Sequence, residues 1–242
     1  MKEIRHILSC TRRAVEDYNM IEDGDRIAVG VSAGKDSLTL LCALANLKLF
    51  YGKKFSLYAV TVDMGFDGVD FSPVRELCHR LNVPYHVYKT EIAKIVFDVR
   101  KETNPCSLCA RMRRGALHDA ALELGCNKIA LGHHFDDSVE TFMLNLFFEG
   151  RIGSFSPVTY LSRKDLTMIR PLIYCEEKDI RYFTNKFPLP VIESPCSEDG
   201  NTERENMKQL LNKLNKENRG LKHRIFTAMQ NGKISGYEKT LK

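Results

Sequence analysis

Short apolar runs alternate along the chain with longer segments in which apolar residues recur at helical spacing. The runs are brief and rich in β-branched residues, which predicts buried strands at 26–31, 55–62, 85–88 and 128–131. The longer segments predict helices at about 36–49, 73–81, 107–124 and 137–148. Strands that alternate with helices of this length indicate an α/β fold, with a parallel sheet covered by helices on both faces.

Both ends of the chain are predicted to be helical extensions of this domain. Apolar spacing predicts helices over 1–19, 176–186 and 202–230. The predicted buried stripe of the last helix is Met207, Leu210, Leu211 and Leu214. We therefore expect an N-terminal helix (1–24), a central α/β domain (25–190) and a C-terminal segment (191–242) with a cysteine loop and basic helices.

The composition is that of an ordinary globular protein. The chain has 242 residues, of which 43% are hydrophobic and 28% charged, which suits one α/β domain. Its apolar runs fall short of the ~20 residues that cross a bilayer, and the N-terminus mixes charged with apolar residues, unlike a signal peptide. Eight cysteines without such a signal favour reduced thiols. We expect a cytoplasmic protein with no membrane partner.

The net charge of +5 is concentrated in the C-terminal segment. Residues 201–242 contain ten Lys or Arg and four Glu, so the rest of the chain is close to neutral. A second basic group consists of Arg111, Arg113 and Arg114. Local basic patches on a near-neutral body indicate an anionic partner larger than a nucleotide, such as RNA. A solvated helical tail explains the C-terminal charge equally well.

The segment Ser32–Ser37 (SAGKDS) follows the first predicted strand and begins the next helix. A helix N-terminus in this position presents unpaired N–H groups to an anion. Gly34 permits close approach of a phosphate, Lys35 adds a positive charge, and the serine hydroxyls can donate hydrogen bonds. The segment is not a Walker A loop, because only three residues separate Gly30 from Gly34 and an aspartate follows the lysine. The alternative, an empty strand-to-helix turn, is disfavoured by the length of the motif.

SAGKDS resembles the PP-loop signature Ser-Gly-Gly-x-Asp-Ser of the ATP-pyrophosphatase superfamily, which has an adenine nucleotide alpha hydrolase-like fold. Members cleave ATP between the α and β phosphates and adenylate a substrate oxygen. The resemblance implies that Asp63, at the end of the next strand, lies close to the nucleotide, with the GHHFDD segment (132–137) across the cleft. The implied nucleotide contacts are Ser32, Ala33, Gly34, Lys35, Asp36, Ser37, Asp63, Gly132, His133 and Asp136. The residues assigned to catalysis are Lys35, Asp36, Asp63 and Asp137.

The GHHFDD segment also offers hard oxygen ligands. We expect Asp136 or Asp137 to help hold Mg²⁺ on the ATP phosphates. We expect one of His133 and His134 near the nucleotide and the other buried. The alternative is that the two histidines only cap the strand end and order the loop.

Cys106 and Cys109 form a Cys-x-x-Cys pair at the start of a predicted helix, where N–H groups lower thiol pKa values. Three interpretations remain open: a thioredoxin-like redox pair, half of a structural zinc site, or an iron–sulfur site with a remote third cysteine. Cys196, in a polar, turn-rich loop, is the best third ligand. Cys42, Cys78, Cys126 and Cys175 are expected to be packing residues, with Cys10 undecided.

Five segments together resemble the tRNA 2-thiocytidine synthetase family: SAGKDS, CSLCARMRRG, IALGHHFDD, RPLIYCEEKDI and the Cys196 loop. They cover roughly residues 27–196. The resemblance implies a 4Fe–4S cluster held by Cys106, Cys109 and Cys196, with one iron free of protein ligands. It also implies a tRNA substrate, a sulfur donor such as a cysteine desulfurase, and a homodimer.

The chain departs from the family pattern in three places. Ala33 and Phe135 stand where the family usually has Gly and Arg, and the C-terminal region is short. Ala33 is harmless if its φ is negative and costly if a left-handed conformation is required.

The function implied is ATP-dependent adenylation of a cytidine C2 oxygen in tRNA, followed by its replacement with sulfur delivered through the cluster. Arg111, Arg113 and Arg114 would hold the RNA backbone or the nucleotide. One alternative is a related PP-loop thiolase that acts on another tRNA base or on a small metabolite. Another is a binding module that only senses ATP or redox state.

Overall fold

A computed structural model of the chain describes residues 4–100, 105–192, 196, 203–234 and 236–239, and of Asp98 only the backbone. The strands are β1 (Arg26–Gly30), β2 (Ser56–Asp63), β3 (Tyr85–Lys89), β4 (Lys128–Ala130), β5 (Val158–Leu161) and β6 (Leu166–Ile169). The helices are α1 (Arg5–Asp17), α2 (Lys35–Leu47), α3 (Ser72–Arg80), α4 (Pro105–Glu123), α5 (Phe135–Phe148), α6 (Glu177–Lys186), α7 (Glu203–Glu217) and α8 (Leu221–Asn231). A π-helical segment spans Lys94–Arg100.

The strands form one six-stranded sheet in the order β3-β2-β1-β4-β6-β5, and all neighbours are parallel except β5 and β6. The predicted α/β fold with a parallel sheet is thereby confirmed. The chain first builds outward from β1 through β2 to β3, and then returns to place β4 on the other side of β1. This reversal makes the ends of β1 and β4 the switch point, where ligands bind in open parallel sheets.

Helices cover both faces of the sheet, because successive strand residues point to opposite faces. Ile27 and Val29 of β1 belong to the larger core, with α1, α2, α5 and the C-terminal helices. Ala28 belongs to a smaller core under α4. Only the last turns of α4 are tightly packed, through Ala120 and Ala121. The first half of α4 is therefore left beside the switch point and more open.

The ends of the chain differ in detail from the prediction. The helix predicted over 202–230 is two helices, because Gly220 adopts a left-handed conformation (φ 80°) and begins α8. Met207 and Leu211 are buried, whereas Leu210 and Leu214 are 39% and 37% exposed. Strands β5 and β6 were not predicted, since four residues are too few to establish an alternation. Residues 1–3, 193–195, 197–202 and 240–242, which belong to the predicted terminal segments, lie outside the described residues.

Among the described residues, none of the helices combines the length and the apolar character that crossing a bilayer requires.

Candidate functional site

A cavity of about 380 Å³ lies at the switch point, between the ends of β1 and β4 and the exposed half of α4. Its walls contain the loop after β1, the loop after β4, and one face of α4. The apolar part of the lining comes from Val31, Val60, Val62, Leu117, Leu131 and Met168. The polar part comes from Ser32, Asp36, Ser37, Arg113, Arg114, His118, His133 and Asp137.

The Ser32–Ser37 loop is ordered by its own hydrogen bonds. Gly34 is the N-cap of α2, and its carbonyl accepts a hydrogen bond from Ser37 Oγ at 2.9 Å. The backbone N–H of Ser32 donates to Ser37 Oγ at 3.2 Å. The first N–H groups of α2 have no partners within the helix, so the loop presents an anion site whose shape exists before any ligand binds.

Ala33 adopts the left-handed conformation, with φ 62°. This is the costly case for a residue with a Cβ, about 1–2 kcal/mol relative to an ordinary backbone. The side chain is 1% exposed, and the carbonyl accepts a hydrogen bond from Ile192 N at 3.1 Å. The surrounding packing therefore holds the strained residue in place.

Gly132 brings the loop after β4 against the start of α2. A Cβ at this position would lie 3.1 Å from the carbonyl carbon of Asp36 and 3.1 Å from Ser37 N. The two loops are thus in backbone contact across the switch point, and any larger residue at this position would push them apart by a few tenths of an ångström.

Lys35 is held between two carboxylates. Its Nζ lies 2.9 Å from Asp36 Oδ2 and 3.2 Å from Glu177 Oε1. Burial opposes the charged form, but the two carboxylates raise the pKa of Lys35 above its ordinary value. The ammonium is therefore charged and positioned beside the loop.

The two histidines of GHHFDD have different places. His133 lines the cavity, and burial, reinforced by Arg170, lowers its pKa to about 4, so the ring is neutral at physiological pH. His134 is 4% exposed and caps α5. Its ring Nδ1 accepts a hydrogen bond from the backbone N–H of Asp137, and the backbone N–H of His134 donates to Asp137 Oδ2 at 2.9 Å. One histidine is thus at the cavity and the other is buried.

The neighbouring aspartates also separate. Asp137 lines the cavity, and its Oδ1 also lies 3.2 Å from the guanidinium of Arg204. Asp136 is buried on the far side, where its carboxylate accepts from Lys222 Nζ at 2.7 Å and from Glu177 N at 2.8 Å. Asp136 therefore joins α5, α6 and α8.

Asp63 ends β2 but is not among the described lining residues of the cavity. Its Oδ1 accepts a hydrogen bond from Gly65 N at 2.9 Å. Phe135, in place of the family's arginine, is 4% exposed and packs against Phe226 of α8 with ring centroids 5.0 Å apart. It fills the core behind the cavity.

Three of the residues that line the cavity carry a buried polar atom without a hydrogen-bond partner. The atoms are Asp36 Oδ1, His118 Nε2 and His133 Nδ1. Leaving such an atom unpaired costs about 1–3 kcal/mol, so each of these atoms needs a partner that a water molecule or a ligand in the cavity would supply. His118 was not predicted from the sequence. Its signal was its position, four residues after Arg114 on the helix that carries the cysteine pair.

The cysteine pair lies on the face of α4 that lines the cavity. Residues 106, 109, 113 and 117 recur at helical spacing, and Ala110 also lines the cavity, so Cys106 and Cys109 extend the lined face by about one turn. Cys106 is exposed, and Cys109 is half-buried with its Sγ 3.7 Å from Met64 Sδ.

Cys196 lies within electrostatic range of Cys109, although it is remote along the chain. Burial raises the pKa of Cys109, Arg113 lowers it, and the charges of Cys196 and Cys106 raise it further. Cys196 and Cys106 therefore each act electrostatically on Cys109. Among the described residues, no three metal-ligating side chains are already gathered around one point. The other five cysteines are buried.

The basic residues divide between the cavity and internal ion pairs. Arg113 and Arg114 line the cavity, whereas Arg111 is exposed outside it. In the C-terminal helices, Lys208 lies 2.9 Å from Glu177, and Arg204 and Lys222 contact Asp137 and Asp136 as described above. Part of the C-terminal charge is therefore used to attach α7 and α8 to the domain.

The sequence and the fold of this chain are similar to those of known proteins. The family model described as a PP-loop domain matches residues 6–215. The tRNA-cytidine(32) 2-sulfurtransferase of Geobacter sulfurreducens is 40% identical over 94% of this chain and 90% of its own length. The enzyme of the same name from Aliivibrio fischeri is 42% identical over 91% of this chain and 73% of its own length. The solved U34-tRNA thiolase NcsA from Methanococcus maripaludis, with its 4Fe–4S cluster, has the same fold (TM-score 0.76, 22% identity, 95% of this chain and 79% of that one).

Proposed function

Because this chain belongs to the PP-loop family, and within it to the tRNA-cytidine(32) 2-sulfurtransferases, we propose that it is an ATP-dependent enzyme that thiolates cytidine in tRNA. The observation that carries the proposal is a single helix face. On α4, Cys106 and Cys109 continue the face that supplies Arg113 and Leu117 to the cavity opposite the Ser32–Ser37 loop. Nucleotide activation and sulfur chemistry can therefore meet on one substrate.

The cavity suits ATP. Val60, Val62 and Met168 offer an apolar floor for a purine ring, as small-molecule sites commonly do. The N-terminus of α2 and the hydroxyls of Ser32 and Ser37 face this space and would bind the phosphates. Lys35, whose ammonium lies against Asp36 and Glu177, would turn from these carboxylates to reach them. These groups would stabilise charge that develops as AMP is transferred to the C2 oxygen of cytidine, which makes that oxygen a leaving group.

Of the two aspartates, Asp137 fits a magnesium site better. It faces the cavity, and Asp36 Oδ1 is the nearby oxygen without a partner. Asp136 is occupied by Lys222 and by a backbone N–H. A Mg²⁺ held by Asp137 would neutralise phosphate charge, as hard cations with oxygen ligands do. Asp63 lies one residue beyond the lining residue Val62 and accepts a hydrogen bond from Gly65 N, so it would order the turn at the edge of the cavity.

The three thiols fit a 4Fe–4S cluster by donor chemistry and by proximity. Cys106, Cys109 and Cys196 are soft ligands and electrostatic neighbours, whereas a zinc site would require a fourth ligand. When bound, the cluster supplies an iron without a protein ligand, at which sulfur can be held. Arg111, Arg113 and Arg114 follow the cysteines on α4 and would bind the RNA backbone or nucleotide phosphates.

A sulfur donor follows from this chemistry, and the homodimer is the expectation carried over from the family resemblance. We expect a sulfur donor such as a cysteine desulfurase, a homodimer, and a cytoplasmic location where tRNA is available.

The proposal is tested with protein purified without oxygen, after iron and acid-labile sulfide have been measured. The protein is incubated with tRNA, ATP and sulfide, and the nucleosides are analysed by mass spectrometry. We expect 2-thiocytidine and pyrophosphate. Cys106→Ala should abolish 2-thiocytidine and leave ATP affinity within about twofold of the original, since Cys106 is exposed and outside the cavity lining. Equal loss of both would assign Cys106 to folding, and thiolation of another base would replace the substrate named here.

A further inference from the structure

Glu177 is the meeting point of the phosphate loop and the C-terminal helices. It is the first residue of α6, and its side chain is 12% exposed. Its Oε1 lies 3.2 Å from Lys35 Nζ, and its Oε2 lies 2.9 Å from Lys208 Nζ of α7. Arg181, one turn along α6, lies 2.9 Å from Oε1. One carboxylate therefore binds a loop lysine and a lysine of α7 at the same time.

Glu177 remains ionised throughout the physiological pH range. Burial raises its pKa, but the hydrogen bonds from Lys208 and Arg181 and the charge of Lys35 outweigh burial and lower the pKa to about 2. The backbone is fixed as well, since Glu177 N donates to Asp136 Oδ2 at 2.8 Å. The carboxylate is thus a stationary anion between two cations that belong to different elements.

The Lys35 ammonium is the part of this arrangement that a nucleotide would change. ATP phosphates carry more charge than one carboxylate and would compete with Glu177 for Lys35. If Lys35 turns to the phosphates, Glu177 has one cation fewer beside it. The ion pair between Glu177 and Lys208 then becomes stronger. The segment that this would tighten is α7, which begins seven residues after Cys196.

We propose that Glu177 is a positioning residue that couples occupation of the phosphate loop to the docking of α7. The proposal rests on the proposed function, because it requires ATP phosphates at Lys35. Coupling of this kind is reciprocal. A change that separates α7 from Glu177 therefore also alters the ion pair between Lys35 and Glu177 in the protein without nucleotide.

The test measures hydrogen–deuterium exchange of amides 203–217 with and without ATP, in the absence of tRNA, together with ATP affinity by calorimetry. We expect ATP to slow exchange in α7 about fivefold or more in the original protein. In Glu177→Gln that response should vanish while ATP still binds. Glu176→Gln is the matched control, because Glu176 contacts the exposed Lys178 at 2.9 Å and His223 at 3.6 Å, away from Lys35. It should respond like the original protein.

Lys208→Met provides a second test, because it removes the partner of Glu177 on α7. It should show no slowing in α7 and, because the coupling is reciprocal, should bind ATP up to about fivefold more weakly than the original protein. Glu177→Asp keeps the carboxylate and should retain part of the response that Glu177→Gln loses. An undiminished response in both Glu177→Gln and Lys208→Met would overturn the coupling. If the original protein binds ATP but α7 does not respond, the coupling fails and the proposed function stands. If it does not bind ATP, the proposed function fails.

Discussion

The two halves of the cavity are built in different ways. The phosphate half, around Ser32–Ser37, is fixed by hydrogen bonds within the loop, by backbone contact with Gly132 and by the ion pairs of Lys35. The cysteine half is the first turns of α4, where Cys106 is exposed and Cys109 is only half-buried. The third thiol, Cys196, belongs to a segment distant in sequence.

This difference separates what the fold supplies from what a ligand must supply. The shape of the phosphate half is set by the protein's own contacts. Its buried polar atoms without a protein partner, such as Asp36 Oδ1, can accept or donate hydrogen bonds to a ligand. The described residues of the cysteine half have no preformed metal site, although their thiols are neighbours. An inorganic centre that binds all three thiolates would contribute its own binding free energy to the order of that half.

The largest expected effect separates the halves by their ligands. Cys109→Ala should lower bound iron and acid-labile sulfide by about tenfold or more, because a cluster left with two thiolates is lost. ATP affinity should change by less than about twofold, since the phosphate half is fixed independently. Cys126→Ala is the control, as Cys126 is buried in the core under α4 and should retain iron. Iron retention in Cys109→Ala would show that the cysteine half is not the cluster site.

The converse change acts on the phosphate half. Gly132→Ala places a Cβ 3.1 Å from the backbone of Asp36 and Ser37, so the loops must separate. Displacement of a binding loop by a fraction of an ångström should weaken ATP binding by roughly 10- to 100-fold in calorimetry. Iron content should remain unchanged.

Gly115→Ala is its matched control within α4. A Cβ there has no neighbour within 4 Å, so the substitution should leave ATP affinity unchanged and raise stability by about 0.5–1 kcal/mol. Unaltered ATP binding in Gly132→Ala would mean that the loop contact does not shape the nucleotide site.

Sequence analysis predicted the phosphate half more completely than its surroundings. The SAGKDS motif and the strand before it locate the loop, because strand, turn and helix are local in sequence. Sequence analysis stated that Ala33 would be strained if its φ were positive, but only the structure provides the value of φ. The family prediction is confirmed by relatives of about 40% identity.

The rest depends on long-range pairing that no local pattern encodes. The charges of Arg204, Lys208 and Lys222 indicated an RNA partner or a solvated tail, yet these residues form internal ion pairs with the domain. Glu177 stood in the RPLIYCEEKDI segment already recognised as a motif, and His118 in the helix that follows CSLCARMRRG, but neither pattern shows which other elements they face. Asp136 and Asp137 are adjacent in sequence, and only the orientation of α5 decides which one faces the cavity.

A smaller effect tests the electrostatics behind the phosphate half. Glu140 of α5 is 3% exposed, and burial, aided by Asp137, raises its pKa to about 7 against the opposing effect of Arg204 and Lys208. The folded protein therefore binds a proton that the unfolded chain releases at about pH 4.5. Stability falls as pH rises from about 4.5 to 7, and the loss is complete above that range.

Glu140→Gln removes this loss. We expect the variant to be more stable than the original protein at pH 8 by on the order of 1–3 kcal/mol and nearly equal at pH 4.5, as measured by urea unfolding. The difference between the two proteins cancels the other titrating groups. A constant difference at both pH values would show that Glu140 is ionised with an ordinary pKa in the folded protein.

The smallest effect is expected for Ala33→Gly, at the position where the phosphate half carries strain. Ala33→Gly removes a left-handed cost of about 1–2 kcal/mol, but it frees the unfolded chain by about 0.4–1 kcal/mol and loses a buried methyl worth about 0.8 kcal/mol. These effects nearly cancel, so stability should change by less than about 1 kcal/mol, and ATP affinity should be retained. Ala33→Val meets the same φ of 62° with a β-branched side chain and should destabilise by about 2 kcal/mol or more. Urea unfolding of both variants measures the strain directly, and equal stability of the Val and Gly variants would mean that the loop relaxes to a negative φ at this position.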